Sequence, residues 1–248
     1  KRQKAELQIF LNTINKEKNE FFKIRDYATF RLLAFSGCRI GEVLALNWSD
    51  LDFENRELNI SKTVTKAKDY YVSEKPKTMS SNRRIILDEK TIYSLKEWKL
   101  LQMKYLFKLG FNKPSFIFTN DENNFTINQA VTERFKIYSE RAGLPNIGLH
   151  GFRHTHASLL FESDASMKEV QERLGHANIK TTMDTYTHMT KDKKIETTNK
   201  LISWLIMSIF KSMVRSMVKK YKSKQKNTQP LEYQRIERFN YYASCATG

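Results

Sequence analysis

Apolar residues recur at three- and four-residue spacing through residues 4–15 and again, more strongly, through 18–37. That spacing predicts a short amphipathic helix followed by a long one. Gly37 stops the second helix and reads as its C-cap. A further helix is expected over 39–51. The period then shortens to two. Residues 52–61 alternate about a turn at Glu54-Asn55-Arg56, while 69–74, 75–82 and 83–88 read as strand, polar loop and strand. A small antiparallel sheet is therefore predicted between about 50 and 90. Helical spacing returns over 89–110 and is ended by Gly110 and Pro114. Residues 115–120 read as a short strand and 128–143 as a helix with a glycine stop. After a loop marked by Pro145 and Gly148, a helix is expected over 149–163, then two short helices over 166–176 and 178–190 around a Gly-His break.

The last fifty residues have a different texture. Ile202, Leu205/Ile206, Ile209/Phe210, Met213/Val214, Met217/Val218 and Tyr221 form an apolar stripe, with Lys211, Arg215, Lys219 and Lys220 mainly on the other face. Beyond it the chain is polar and aperiodic, which predicts poor order. The expected organisation is one domain over 1–198, then an amphipathic helix and basic tail over 199–248. The fold class is mixed but mainly α, with a small antiparallel sheet.

Charge narrows the function. Lys and Arg number 43 against 27 acids, a formal net charge of +16, which favours a polyanionic partner, most often nucleic acid. Cys38 and Cys245 stand far apart in no metal-ligand spacing, which fits a reducing, cytoplasmic setting rather than a disulfide or zinc framework. The longest apolar run is far short of the ~20 residues a membrane span needs.

Three of the five histidines, with an arginine, fall inside "LHGFRHTHASLL", residues 149–160. His150 and His154 are four apart, a helical metal-ligand spacing. However, Arg153 sits between them, and no acid or cysteine accompanies them. His154 and His156 read as ordinary core or rim histidines. His150 and Arg153 share a helical face at a helix N-terminus after a glycine-containing loop, a place that attracts anions. Further cations and a tyrosine lie elsewhere: Arg39 just after a helix stop, Lys77 in the polar loop, and His176, Tyr186 and His188 in "LGHANIKTTMDTYTH".

These segments resemble the tyrosine recombinase, or phage-integrase, family. "GCRIGEVLALNWSDLDF" is similar to its first arginine motif, "PKTMSSNRRIIL" to its β-hairpin lysine motif, "LHGFRHTHASLL" to its H-x-x-R box and "LGHANIKTTMDTYTH" to its nucleophile segment. They occur in the family's order. The resemblance implies a catalytic set of Arg39, Lys77, His150, Arg153, His176 and Tyr186, acting on double-stranded DNA without metal or cofactor. It implies a nucleoid-associated homo-oligomer, a tetramer on DNA, with accessory DNA-bending proteins as further partners. Lys75 is a weaker candidate for the lysine, and Glu42, three residues after Arg39, has an open role. Such chemistry suits these residues. Tyrosine, with a pKa of about 10, is only ~0.1% phenolate at pH 7 and needs a base or a cationic site. Two guanidinium forks suit the oxygens of a five-coordinate phosphorus.

Family members usually carry a core-binding domain ahead of the catalytic domain, and this chain begins almost at the catalytic domain's first helix. The 200–221 stripe is expected either to bridge subunits or to pack on its own domain, with a membrane surface a third reading. The rival functions are DNA relaxation by a type IB topoisomerase, a non-catalytic DNA-binding module and a metal-dependent hydrolase.

Overall fold

A computed structural model describes residues 2–73 and 82–224. Contacts divide the chain into Lys1–Met189 and Thr190–Gly248. The first unit opens with α1 (Arg2–Ile14) and α2 (Glu20–Ser36). Asn19 caps α2 by accepting the Phe22 N–H at 3.2 Å, and Gly37 ends it in the left-handed region, φ 67°. Phe10 of α1 and Phe30 of α2 meet edge to face at 5.2 Å, and Phe135, Tyr138 and Phe152 close around them. This aromatic cluster is the centre of the core.

The segment expected as one helix over 39–51 is broken. It forms α3 (Ile40–Leu44), a 3-10 turn at Trp48–Asp50 and β1 (Leu51–Asp52). The Asp50 carboxylate accepts the Asn47 N–H at 2.8 Å and pairs with Lys62 at 2.9 Å. These local bonds take over donors that a continuing helix would have used.

The described strands are antiparallel, as expected, and form two sheets rather than one. β2 (Glu57–Ile60) pairs with β1 and with β5 (Arg83–Ile86), in the register Leu58↔Ile85. β3 (Thr63–Lys66) pairs with β4 (Tyr70–Ser73) as a separate hairpin. The loop that holds Lys75 and Lys77 lies outside the described residues.

Asp88 caps α4 (Glu89–Lys108). Residues 115–120 are not a strand; one isolated bridge, Thr119↔Phe125, is all the pairing described there. The Ile117 carbonyl accepts from Trp98 Nε1 at 2.6 Å and Gln102 Nε2 at 3.1 Å, and its N–H reaches Leu46 O at 2.7 Å. Side chains of α4 thus satisfy this backbone in place of a ladder. Then come α5 (Asn128–Ala142), α6 (His150–Glu162) and α7 (Met167–Leu174), the last with a Ser166/Glu169 capping box and a Gly175 stop at φ 69°.

The segment at 178–190 is not a short helix. It opens α8, which runs through Ile179–Lys224. Residues 191–199, KDKKIETTN, contain no glycine or proline to stop it. In the second unit Ile202, Trp204, Ile206, Ile209, Phe210 and Met217 of this helix are exposed. No described helix is long and apolar enough to cross a membrane.

Candidate active site

The site assembles where α2, α6 and α7 end or begin. Arg39 follows the Gly37 stop by two residues and stands at the N-cap of α3. Glu42, one turn on, is buried and holds it twice. Its carboxylate accepts the Arg39 backbone N–H at 2.9 Å and Nη1 at 3.0 Å. The same carboxylate accepts Arg83 Nη2 at 2.9 Å and Nη1 at 3.3 Å. Burial alone would raise the Glu42 pKa, but the bonds to Arg83 and Arg39 outweigh it and hold the group below the ordinary carboxylate value. Arg39 itself is 43% exposed, so part of its fork stays open to solvent.

Arg153 points inward from α6. It is 3% exposed. Nη1 donates to the Gly37 carbonyl at 2.8 Å and Nη2 to the Leu174 carbonyl at 2.7 Å. Burial, then the nearby Arg39, lower its pKa to about 10, which leaves it charged at neutral pH. His150, the first residue of α6, is exposed, and its ring meets His154 edge to face at 4.7 Å. Partial burial, then His154, Arg153 and Arg39, push its pKa down.

His176 follows Gly175 and is 9% exposed. Its Nδ1 hydrogen-bonds Thr182 Oγ1 at 2.8 Å, and Gln171 Nε2 donates to its carbonyl at 3.0 Å. Burial, with Arg153, Arg39, Arg83 and His150 all near enough to repel a proton, brings its pKa to about 4. His176 is therefore a neutral imidazole among cations, able to accept a proton or donate a hydrogen bond.

Tyr186 sits one turn beyond Thr182 on α8. Its ring lies 5.0 Å from that of buried Phe161, and it is 36% exposed. Among the described residues, no hydrogen bond joins its phenol to the arginines or histidines. The structure thus brings Arg39, Arg153, His150 and His176 into one electrostatic group, with Tyr186 on the helix that His176 is tied to. Lys77 and the rival Lys75 lie outside the described residues, as does the side chain of His188.

His156 is a core histidine. Nδ1–H donates to the Ala34 carbonyl at 2.9 Å, so Nε2 accepts from Arg173 Nε at 3.0 Å. Burial and the Arg173 charge hold its pKa near 4. Among the described residues, no three His, Cys, Asp or Glu side chains gather as a metal would need. Arg83, Arg173 and Thr182 were not singled out by sequence. Their only signal was position, beside the lysine loop, the Gly-His break and the tyrosine.

The described residues thus form a helical domain in which this cationic group stands near the start of the helix that carries Tyr186. The chain belongs to the phage integrase family, whose profile matches residues 3–193. It is similar to the ICEBs1 integrase of Bacillus subtilis, 33% identical over 178 residues, 71% of this chain and 48% of that protein. It is also similar to a tyrosine recombinase XerC-like protein of Caldanaerobacter subterraneus, 32% identical over 215 residues, 79% of this chain and 55% of that one. The chain spans about half the length of these curated relatives. Among solved structures, the Tn1549 transposon integrase in complex with transposon right-end DNA matches with a TM-score of 0.65 at 26% identity, over 79% of this chain and 64% of that one. The XerH recombinase bound to its difH substrate matches with a TM-score of 0.59 at 26% identity, over 78% of this chain and 51% of that one.

Proposed function

We propose that this chain carries the catalytic centre of a site-specific DNA recombinase, an integrase, which cuts and rejoins double-stranded DNA through a 3′-phosphotyrosine at Tyr186. The observation that carries this reading is the convergence of Arg39, Arg153, His150 and His176 beside the helix bearing Tyr186. In the first step the Tyr186 oxygen attacks the scissile phosphorus and the 5′-oxygen leaves. His176, neutral in the free protein, takes the phenol proton once the bound phosphate offsets the cations around it. Lys77 is assigned the proton that the leaving oxygen takes up. Arg39 and Arg153 carry the charge that gathers on the non-bridging oxygens, and losing one such donor costs on the order of 10²–10³ in rate. In the second step a 5′-hydroxyl from another duplex attacks the phosphotyrosine and releases the phenol. One phosphoester is exchanged for another each time, so no ATP is consumed. Strand exchange between two duplexes calls for a homo-oligomer on DNA, acting in the cytoplasm at the nucleoid. The solved DNA complexes of similar proteins support the partner, and the excess of cations supports phosphate contact.

The test uses a pool of nicked duplexes of randomised sequence, in EDTA, with wild type and Tyr186→Phe. A covalent protein–DNA adduct with wild type alone is expected. Adducts formed equally by Tyr186→Phe, or none with wild type on any duplex, would refute the assignment.

A further inference from the structure

Arg83 is a buried cation that the mechanism above does not use. It is the first residue of β5, the strand that follows directly from the loop carrying Lys75 and Lys77. Its side chain is 6% exposed. Both Nη groups go to Glu42, fork to fork, at 2.9 and 3.3 Å. Its Nε donates to the Arg173 carbonyl at 2.8 Å, in the last turn of α7 and three residues before His176. Arg173 answers in the other direction, donating from Nη2 to the Ile86 carbonyl of β5 at 3.1 Å.

Glu42 is therefore a shared acceptor. Each carboxylate oxygen receives one bond from Arg83 and one from Arg39. The bond from Arg39 Nη1 sets where its exposed half points, the bond from its backbone N–H fixes the α3 start, and the two from Arg83 set where Glu42 itself sits. A buried ion pair is a poor source of stability, since an apolar pair of similar volume often serves as well. What Arg83 adds is direction. One planar fork and one Nε fix three segments against one another: the α3 start with Arg39, the strand leaving the lysine loop, and the turn leading to His176.

We propose that Arg83 is a positioning residue for phosphodiester cleavage, aiming Arg39 through Glu42 and holding the His176 turn through the Arg173 carbonyl. The proposal rests on the recombinase reading, and its test separates the two. A lysine at 83 keeps the charge but loses the fork. Folded Arg83→Lys should cleave the nicked duplex roughly 10²-fold more slowly, the scale of a small misplacement of a reacting group. A methylphosphonate at the scissile position removes one anionic oxygen, so a well-aimed Arg39 matters less. The defect should shrink to about tenfold or less on that substrate. A merely structural defect would slow both substrates equally, and that result overturns the proposal. So does a folded Arg83→Lys that cleaves the ordinary duplex at the wild-type rate.

If Arg83→Lys does not fold, Glu42→Gln/Arg83→Met removes both buried charges together and carries the same comparison. A second measurement needs no DNA. With 15N-labelled arginine, Arg83→Lys should shift or broaden the Arg39 Nε–H resonance, while Arg84→Lys, at an exposed neighbour, should leave it in place. If wild type forms no adduct on any duplex, the recombinase reading fails. An unmoved Arg39 signal in folded Arg83→Lys overturns the tie itself.

Discussion

Replacing Gly37 with alanine should be among the most damaging single-methyl changes in this chain. Gly37 has φ 67°, where an L-residue costs roughly 1–2 kcal/mol. Its added Cβ would lie 2.6 Å from His156 Cδ2 and 2.7 Å from Leu174 Cδ2. Neither neighbour can swing aside freely. The His156 ring is held at both nitrogens, by Ala34 O and Arg173 Nε. Leu174 is 1% exposed, and its carbonyl is an anchor of Arg153. Overpacking of this kind adds about 1–3 kcal/mol. Together the loss is about 2–5 kcal/mol, a large share of the ~5–15 kcal/mol typical of a domain. For a unit of this size that lowers Tm by roughly 4–20 °C. Gly143 supplies the control. It also has positive φ, 63°, but a Cβ there meets nothing within 4 Å, so Gly143→Ala should lose only about 1–2 kcal/mol. Urea denaturation followed by circular dichroism measures both. Equal losses at the two glycines would refute the contact argument, since backbone strain alone would then account for each.

Acid should weaken the fold before most of its carboxylates protonate. His156 and His176 are held near pKa 4, below the ordinary 6.5. Between those values the unfolded chain binds protons that the folded chain refuses. Stability is therefore full above pH 6.5 and falls as pH drops towards 4, by roughly 3 kcal/mol per histidine at most. A urea midpoint that stays constant from pH 7 to pH 5 would contradict this. A second contrast concerns two acidic anchors. Asp26, 4% exposed, accepts Arg134 Nε at 2.6 Å and the Tyr138 hydroxyl at 2.9 Å. Asp26→Ala should cost about 3–5 kcal/mol by removing the buried acceptor that Arg134, Arg25 and Tyr138 share. Arg141, 53% exposed and paired with Glu17, should cost less than about 1 kcal/mol when truncated to alanine. Equilibrium unfolding of the two variants decides, and similar losses would overturn the burial argument.

Much of this architecture was legible because its signals are local. Gly37 and Gly143 end their helices in the left-handed conformation that glycine tolerates. The 3.6-residue spacing that placed Phe10 and Phe30 inward is a property of each helix alone. Where the reading failed, a side chain had taken over a backbone group. Residues 115–120 look like a strand, yet Trp98 and Gln102 bind that backbone from α4. The 39–51 segment looks like one helix, yet Asn47 and Asp50 interrupt it with bonds to one another and to Lys62. The same division runs through the site. His150 and Arg153 stand out by their spacing at a helix start, whereas Arg39, His176 and Tyr186 are singled out by the resemblance of their segments to the family's motifs. Arg83 looks like one more strand arginine until Glu42, 41 residues away, is seen to hold it.

Arg153 has a further consequence for how the site meets an anion. Among the described residues, no carboxylate hydrogen-bonds to it. The groups that solvate it are carbonyls at the C-terminal ends of α2 and α7. Each helix end carries a partial negative charge of roughly half a unit, from dipoles that sum to zero over the helix. The guanidinium is therefore stabilised without being neutralised. A carboxylate in the same place would have to be displaced, or would repel the phosphate that comes to replace it. With helix-end carbonyls as its hydrogen-bond partners among the described residues, Arg153 keeps its whole charge in the resting protein, and under the proposed function a phosphodiester would break no described ion pair to reach it.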